Sequence, residues 1–413
     1  MIKNFNISKN NIAEYSFLGF VAVLPFEDIF GSIMLVVTIT LALLFNPQKK
    51  ILNVLKQNQI LWFLMAYYGI ALISLVYSQD FPESLKKLSK LLAFVLIPLM
   101  FVSLNPCQKL IKSGKKVFVY AMLAFSIFSL LKLGYNYIVN HDISHWYNFV
   151  QDSMYHKYMP EDAMYLNTAL ILLLFGDFKK NLKLFAAILF LIVIVLFSVR
   201  LGLFLYLSII TIYFSLNIKS LLTWKSLIIV ALTVSVSLLL VNQSRYANDK
   251  FYDTLDKIGF NTGNQVSEIG SKYHKMGLRE KIWSTSIELI ADRPILGQGA
   301  GVEKRPLAVK NQKKEYDIPS NYHSHNQFLS SMVQYGVFGI TWLLGIFAFL
   351  FWVTIKNKNT VGILIVVVMI ISMITESYLE LQQGVFYFCF FTSLLIWKLV
   401  FKKKIKTLKN CKI

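Results

Sequence analysis

Arginine is scarce in this chain. Of 42 lysine and arginine residues only five are arginine: Arg200, Arg245, Arg279, Arg293 and Arg305. Cysteine is scarcer, at three residues (Cys107, Cys389 and Cys411), with neither metal-ligand spacing nor an even-numbered disulfide framework. Cys107 and Cys411 sit in lysine-rich segments and are expected to be reduced. Repeats and low-complexity tracts are missing, which excludes repeat arrays and fibrous folds. Acids are few as well, 22 against 42 bases, leaving a formal net charge of +20.

Apolar residues are what the chain does have. They make up 56% of it, and the mean hydropathy is +0.55, whereas soluble domains are about 45–50% apolar. Runs near 20 residues recur throughout, the length that crosses roughly 30 Å of hydrocarbon. The fold class expected is an all-α polytopic membrane protein of about 12 transmembrane helices. They fall near 14–26, 30–46, 60–78, 86–104, 116–138, 162–176, 181–198, 201–217, 222–241, 326–355, 360–376 and 384–401. The first is short and contains Pro25; without it the count is eleven. The tenth is long and expected to begin as an interfacial or kinked helix before Gly336. Met1 to Asn11 is largely polar, so no cleavable leader is expected.

Lysine placement gives the orientation. Lys49, Lys50, Lys56, Lys109, Lys112, Lys115, Lys116, Lys179, Lys180, Lys183, Lys219, Lys225, Lys356, Lys358 and the tail lysines mark cytoplasmic loops and termini. The alternate loops carry Glu27, Asp28, Asp80, Glu83, Asp142, Asp152, Glu376 and Glu380. Lys86, Lys87 and Lys90 break the pattern and suggest an anion site. Three regions follow: residues 1–241 with helices 1–9, a large extracytoplasmic loop 242–322, and residues 323–413 with helices 10–12 and a basic tail. Within the loop, residues 277–291 read as an amphipathic helix with Ile282, Trp283, Ile287 and Ile290 on one face. Pro294, Gly297, Gly299 and Gly301 close it in a turn. The excess positive charge belongs to cytoplasmic loops, and no nucleic acid partner is expected.

On this topology all five arginines and all six histidines (His141, His145, His156, His274, His323 and His325) face outward. Every cytoplasmic base is lysine. Arginine's planar fork grips phosphate in a bidentate manner, so an outer arginine cluster points to an anionic ligand, most simply a phosphate or pyrophosphate. Arg200 stands out, in a tight hairpin between two apolar runs. His141 and His145 could bind a metal if helical, but no carboxylate or cysteine accompanies them, and no metal or cofactor is expected. His325, beside Asn326 at the mouth of a span, suits a general base, and a structural interfacial histidine is the other reading of the same position. Glu376, ending span 11, could orient a histidine or an arginine.

The motifs resemble a family. His325-Asn326, nine residues, Gly336, two residues and Gly339 are similar to the His-[Asn/Ser/Gln]-x9-Gly-x-x-Gly signature of bacterial O-antigen ligases, within the O-antigen ligase/polymerase superfamily of membrane glycosyltransferases. Ser198-Val199-Arg200-Leu201-Gly202 resembles the family's Ser-Arg-Gly hairpin, with a valine inserted and leucine in place of the glycine. Arg279 to Trp283, and Arg293-Pro294-Ile295-Leu296-Gly297-Gln298-Gly299, resemble its arginine-to-tryptophan helix and Pro-x-x-Gly-x-Gly turn. Thr375-Glu376-Ser377 is similar too.

The resemblance covers about residues 160–400 and implies a GT-C-like architecture. It also implies a metal-independent, inverting transfer of a glycan from undecaprenyl pyrophosphate to a sugar hydroxyl of lipid A-core, at the outer leaflet of the bacterial inner membrane. Arg200 and Arg279 would hold the pyrophosphate, and His325 would take or position the acceptor proton. Arg293, Arg305, Asn326, Glu376, Lys86 and Lys87 are further substrate-binding candidates. The polymerase alternative uses the same donor but is described with Arg-x10-Gly motifs, and no arginine here has glycine eleven residues on. An exopolysaccharide polymerase, a protein O-oligosaccharyltransferase and, more distantly, a polysaccharide transporter are the other readings. Transporters place charge at mid-membrane, whereas these spans are nearly free of it.

Overall fold

The computed structural model describes residues 9–26, 28–45, 53–54, 56, 59–140, 149–150, 159–217 and 277–400. Among them the chain is helical and contains no strand. The helices are α1 Lys9–Val23, α2 Asp28–Phe45, α3 Gln59–Ile73, α4 Phe81–Leu91, α5 Ala93–Leu104, α6 Gln108–Asn140, α7 Met159–Leu174, α8 Lys180–Leu196, α9 Arg200–Leu216, α10 Leu278–Asp292, α11 Lys304–Lys313, α12 Gln327–Lys356, α13 Thr360–Thr375 and α14 Gln382–Val400, with short 3-10 turns at Ser74–Val76 and Tyr378–Glu380. Helices occupy every apolar stretch read from the sequence except 222–241, which lies outside the described residues. Phe81–Leu104, Gln108–Val139 and Gln327–Lys356 are long and apolar enough to cross a membrane. The chain is an integral membrane protein by these features.

Local chemistry sets the helix ends. Asp80 caps α4, its side chain accepting from the Glu83 N–H at 3.2 Å, and Pro82 follows in the first turn, where it loses no hydrogen bond. Asn105 closes α5 in the left-handed conformation at φ 47°, which asparagine tolerates. Cys107 is disulfide-bonded, against the expectation of a reduced thiol. Lysine-rich surroundings speak to compartment, not to which sulfurs meet. Cys389 is free and buried; Cys411 lies outside the described residues.

The helices form two compact units, Met1–Phe118 with Leu278–Ile413, and Val119–Gly277. In the first, Tyr67, Phe94, Trp342 and Phe388 share a core, with Tyr67 and Trp342 ring centroids 4.4 Å apart. Trp342 is satisfied by donating from Nε1 to the Phe63 carbonyl at 2.6 Å. Such ring pairs contribute about 0.5–1.5 kcal/mol each beyond area burial. In lipid, where apolar burial drives little, close packing of this kind carries helix association.

In the second unit, α9 lies tightly on α7. A Cβ at Gly202 would meet the Ala163 Cβ at 2.7 Å. Asn167 Nδ2 donates to the Ala163 and Gly202 carbonyls at 2.9 and 3.0 Å. The hairpin glycine is thus needed at 202, two residues after the arginine, for helix approach.

α10 forms where the sequence placed it, but its buried stripe is Ile282, Thr285, Ser286, Leu289 and Ile290. Ile287 is 57% exposed, a correction to the expected face. At 100° per residue, Ile287 stands about 140° from Ile282, and the true stripe runs i, i+3, i+4, i+7, i+8.

Candidate active site

α12 explains how two separated motifs work together. Gly336 sits inside it with φ 57° and ψ −146°, so the helix breaks there, as the kink expectation held. A break strands backbone groups on both sides. The Pro294–Gly301 turn supplies their partners. Gln298 N–H donates to the Val333 carbonyl at 2.8 Å, Gly299 N–H to the Gln334 carbonyl at 2.9 Å, and the Pro294 carbonyl accepts from Val337 N–H at 3.0 Å. Contact is so close that a Cβ on Gly336 would lie 2.2 Å from the Ile295 oxygen, and one on Gly297 2.6 Å from Gln334 backbone. The two glycine motifs are therefore one interlocked unit.

That unit presents the start of α12. Asn326 caps it, its Oδ1 accepting from Phe328 and Leu329 N–H at 2.9 and 3.2 Å. His325 precedes the cap at φ 45°, a costly conformation for a residue with a Cβ. Its N–H donates to His323 Nδ1 at 3.1 Å.

His325 Nδ1 lies 2.8 Å from Glu376 Oε2, where α13 ends. The other Glu376 oxygen accepts from Arg279 at 2.9 Å, in the first turn of α10. One turn on, Trp283 Nε1 donates to the Ser324 carbonyl at 2.9 Å, fixing α10 against the histidine segment. Three sequence candidates, His325, Arg279 and Glu376, thus meet at one carboxylate. With Nδ1 committed to Glu376, the second ring nitrogen of His325 is left for another partner. Burial alone would raise the Glu376 carboxyl, but the bond to His325 and the charges of His325 and Arg279 outweigh it and hold the carboxyl low. Burial, aided by the His325 charge, lowers His323 to about 4, so His323 is neutral near pH 7. By distance alone His323, His325 and Glu376 could hold a metal ion, with ligand atoms within 4.8 Å of one another. Each Glu376 oxygen already holds one partner, Arg279 on one and His325 on the other, so an ion there would share the carboxylate with them.

A second acidic centre lies inward. Glu303 is 1% exposed. Its Oε1 accepts from the Ser324 N–H at 2.8 Å, the Ser330 hydroxyl at 2.9 Å, and the Ser324 hydroxyl. Gln334 Nε2 bridges Glu303 Oε2 at 3.1 Å and Glu380 Oε1 at 2.6 Å. Lys87 donates to Glu380 at 2.6 Å and to the Leu379 carbonyl at 2.7 Å. Burial and the Glu380 charge raise the Glu303 carboxyl, against its serine bonds. For Glu380 burial pulls upward, but Lys87 and Gln334 outweigh it and lower the carboxyl.

The remaining candidates lie as follows. Lys87 is 4% exposed and ion-paired inside the protein, whereas Lys86 is 70% exposed beside Glu83. Arg293 and Arg305 are exposed. Arg200 opens α9 in the second unit and is exposed. Arg245, His141, His145, His156 and His274 lie outside the described residues. Sequence reading missed Glu303, Ser324, Ser330 and Gln334, and had Ser377 only as part of the Thr375-Glu376-Ser377 motif. A signal existed in Gln327, Ser330, Ser331 and Gln334, polar residues at helical spacing in an apolar helix, which must face polar partners.

The O-antigen ligase family model matches residues 168–344, and bears out the resemblance carried by the His325–Gly339 signature. Members of that family are ligase- or polymerase-type glycosyltransferases, which supports an enzymatic role on lipid-linked glycans in a membrane. The match includes Arg200, Arg279, Glu303 and His325 and stops short of Glu376 and Glu380. No curated protein matches the chain.

Proposed function

From that family relationship we propose that this protein is an O-antigen ligase. It moves a glycan from undecaprenyl pyrophosphate to a sugar hydroxyl of lipid A-core, at the periplasmic leaflet of the bacterial inner membrane. The observation that carries the reading is Glu376 holding His325 with one oxygen and Arg279 with the other.

The acceptor hydroxyl oxygen attacks the anomeric carbon from the face opposite the pyrophosphate. The new C–O bond forms as the bond to pyrophosphate breaks, and undecaprenyl pyrophosphate leaves with the electron pair. The hydroxyl proton passes to the free nitrogen of His325. Glu376 is a positioning residue that fixes the tautomer and steadies the imidazolium. The donor carries its own leaving group, so the site must neutralise charge and orient attack. Arg279 keeps further N–H donors for phosphate beyond the one given to Glu376. The family resemblance assigns a second phosphate contact to Arg200, and no step needs a divalent ion. Arg293 and Arg305 are available to the anionic donor as exposed bases, as is Lys86 once its surface pair with Glu83 opens. Asn326 acts through the helix cap.

Deletion in the native host tests this directly. Polymer should vanish from lipid A-core on gels and accumulate on its lipid carrier. Re-expressed His325→Ala should transfer about 10²–10⁴-fold less, the range for losing a general base. Arg279→Ala and Arg200→Ala should fail comparably, with all three variants still inserted in membranes. Transfer in wild-type membranes should survive a chelator. Single repeat units left on the core would sink the ligase reading in favour of a polymerase.

A further inference from the structure

We infer that Glu303 is the positioning residue that sets His325 against Glu376. The inference rests on the proposed role of that pair in transfer. His325 and Glu376 come from different segments, and the 2.8 Å bond between them is no stronger than whatever holds those segments in register. On the His325 side, the preceding residue Ser324 gives both its N–H and its hydroxyl to Glu303 Oε1. On the Glu376 side, the following residue Ser377 meets the Ser330 hydroxyl at 2.7 Å, and Ser330 donates to that same Glu303 oxygen. Ser377 also accepts from the N–H of Asn326 at 3.1 Å, directly after His325.

One buried oxygen is therefore the common anchor of both segments. It clamps the residues flanking a histidine whose φ of 45° would relax if they were released. Glu303 itself is too deep to touch substrate. It arrives by way of the glycine turn that interlocks with the Gly336 break, so the family's two glycine motifs end by delivering this carboxylate. A carboxyl suits the task better than an amide, because one oxygen takes the Ser324 and Ser330 bonds while the other accepts from Gln334, and an amide would set its NH2 against one of those donor sets.

The test reads the pair without substrate. In ¹⁵N-histidine-labelled protein in detergent, with His325→Ala identifying the resonance, the wild type should show a downfield Nδ1 proton from the His325–Glu376 bond, lost in Glu376→Gln. Glu303→Gln should shift or broaden that signal. An unchanged signal in folded Glu303→Gln overturns the inference whatever the substrate proves to be. In transfer assays using undecaprenyl-pyrophosphate-linked glycan extracted from the host, Glu303→Gln should lower kcat about 10- to 100-fold, as small misplacements of a reacting group do. The donor KM should stay within a factor of about two. Combined with Glu376→Gln it should add little, because both act through one pair. Additive losses, or a changed KM with unchanged kcat, would mark Glu303 as merely structural. If Glu303→Gln fails to fold, Ser330→Ala and Ser377→Ala cut the same chain while leaving the carboxylate in place, and must move the same signal. A shifted signal with no transfer by the wild type would retire the ligase reading and leave the positioning role standing.

Discussion

Ser324 and His325 are consecutive, yet they turn to two carboxylates in opposite settings. His325 meets Glu376, which is partly open, paired with Arg279 and held low. Ser324 meets Glu303, which is enclosed, wrapped in serines and a glutamine, and pushed up. The open centre has donors left over for a ligand, whereas enclosed Glu303 gives both its oxygens to the protein. Buried polar networks hold geometry only when fully satisfied. A reacting pair needs one unsatisfied partner. On the proposed function, the difference separates what would perform chemistry from what would aim it.

The comparison breaks most readily at the inner end. Lys87→Met leaves Glu380 enclosed without its cation, and breaking such a pair costs about 3–5 kcal/mol. Thermal unfolding in detergent should show a large loss, with transfer falling only as folded protein falls. Lys86→Ala, one residue away and exposed, should stay within about 0.5 kcal/mol. Equal effects of the two would mean that the inner centre does not support the fold.

The lysine pair also shows where sequence reading stopped. Three lysines in one outer stretch suggested an anion site. Helical phase divides them, since Lys87 falls with Ser84, Leu88 and Leu91 on the buried stripe of α4 and Lys86 does not. Apolar runs located the helices because their length is set by local composition. The kink at Gly336 and the glycine turn were legible for the same reason: each needs a residue type at a fixed place. His325, Arg279 and Glu376 were each suspected, but that one carboxylate joins all three depends on packing. Glu303 was out of reach. Its partners lie 21, 27 and 31 residues away, and a lone acid between glycines and lysines carries no motif.

At the outer centre the effect should fall on rate. Glu376→Gln keeps the shape but loses the charge that orients His325 and Arg279. Removing such a supporting partner typically costs about 10- to 100-fold. Transfer kinetics should show this in kcat, with a melting temperature closer to wild type than that of Lys87→Met. A Glu376→Gln protein that transfers normally but melts early would reverse the assignment of the two centres.

The finest test compares the two carboxylates by pH. Folded Glu376 holds its proton less tightly than the unfolded chain does. Its stabilising contribution is complete above the ordinary carboxylate value and is lost as pH falls through the folded value. Folded Glu303 holds its proton more tightly. Its contribution is complete below the ordinary value and is lost as pH rises through the folded one. Relative to wild type, the stability deficit of Glu376→Gln should therefore shrink toward acid, and that of Glu303→Gln should shrink toward neutral pH. The two swings should have opposite signs, and the sign of each is the readout. Melting curves from about pH 3 to 8 would read both slopes. Slopes of the same sign would mean that the two carboxylates share one electrostatic setting, and the division between an aiming centre and a reacting centre would fail.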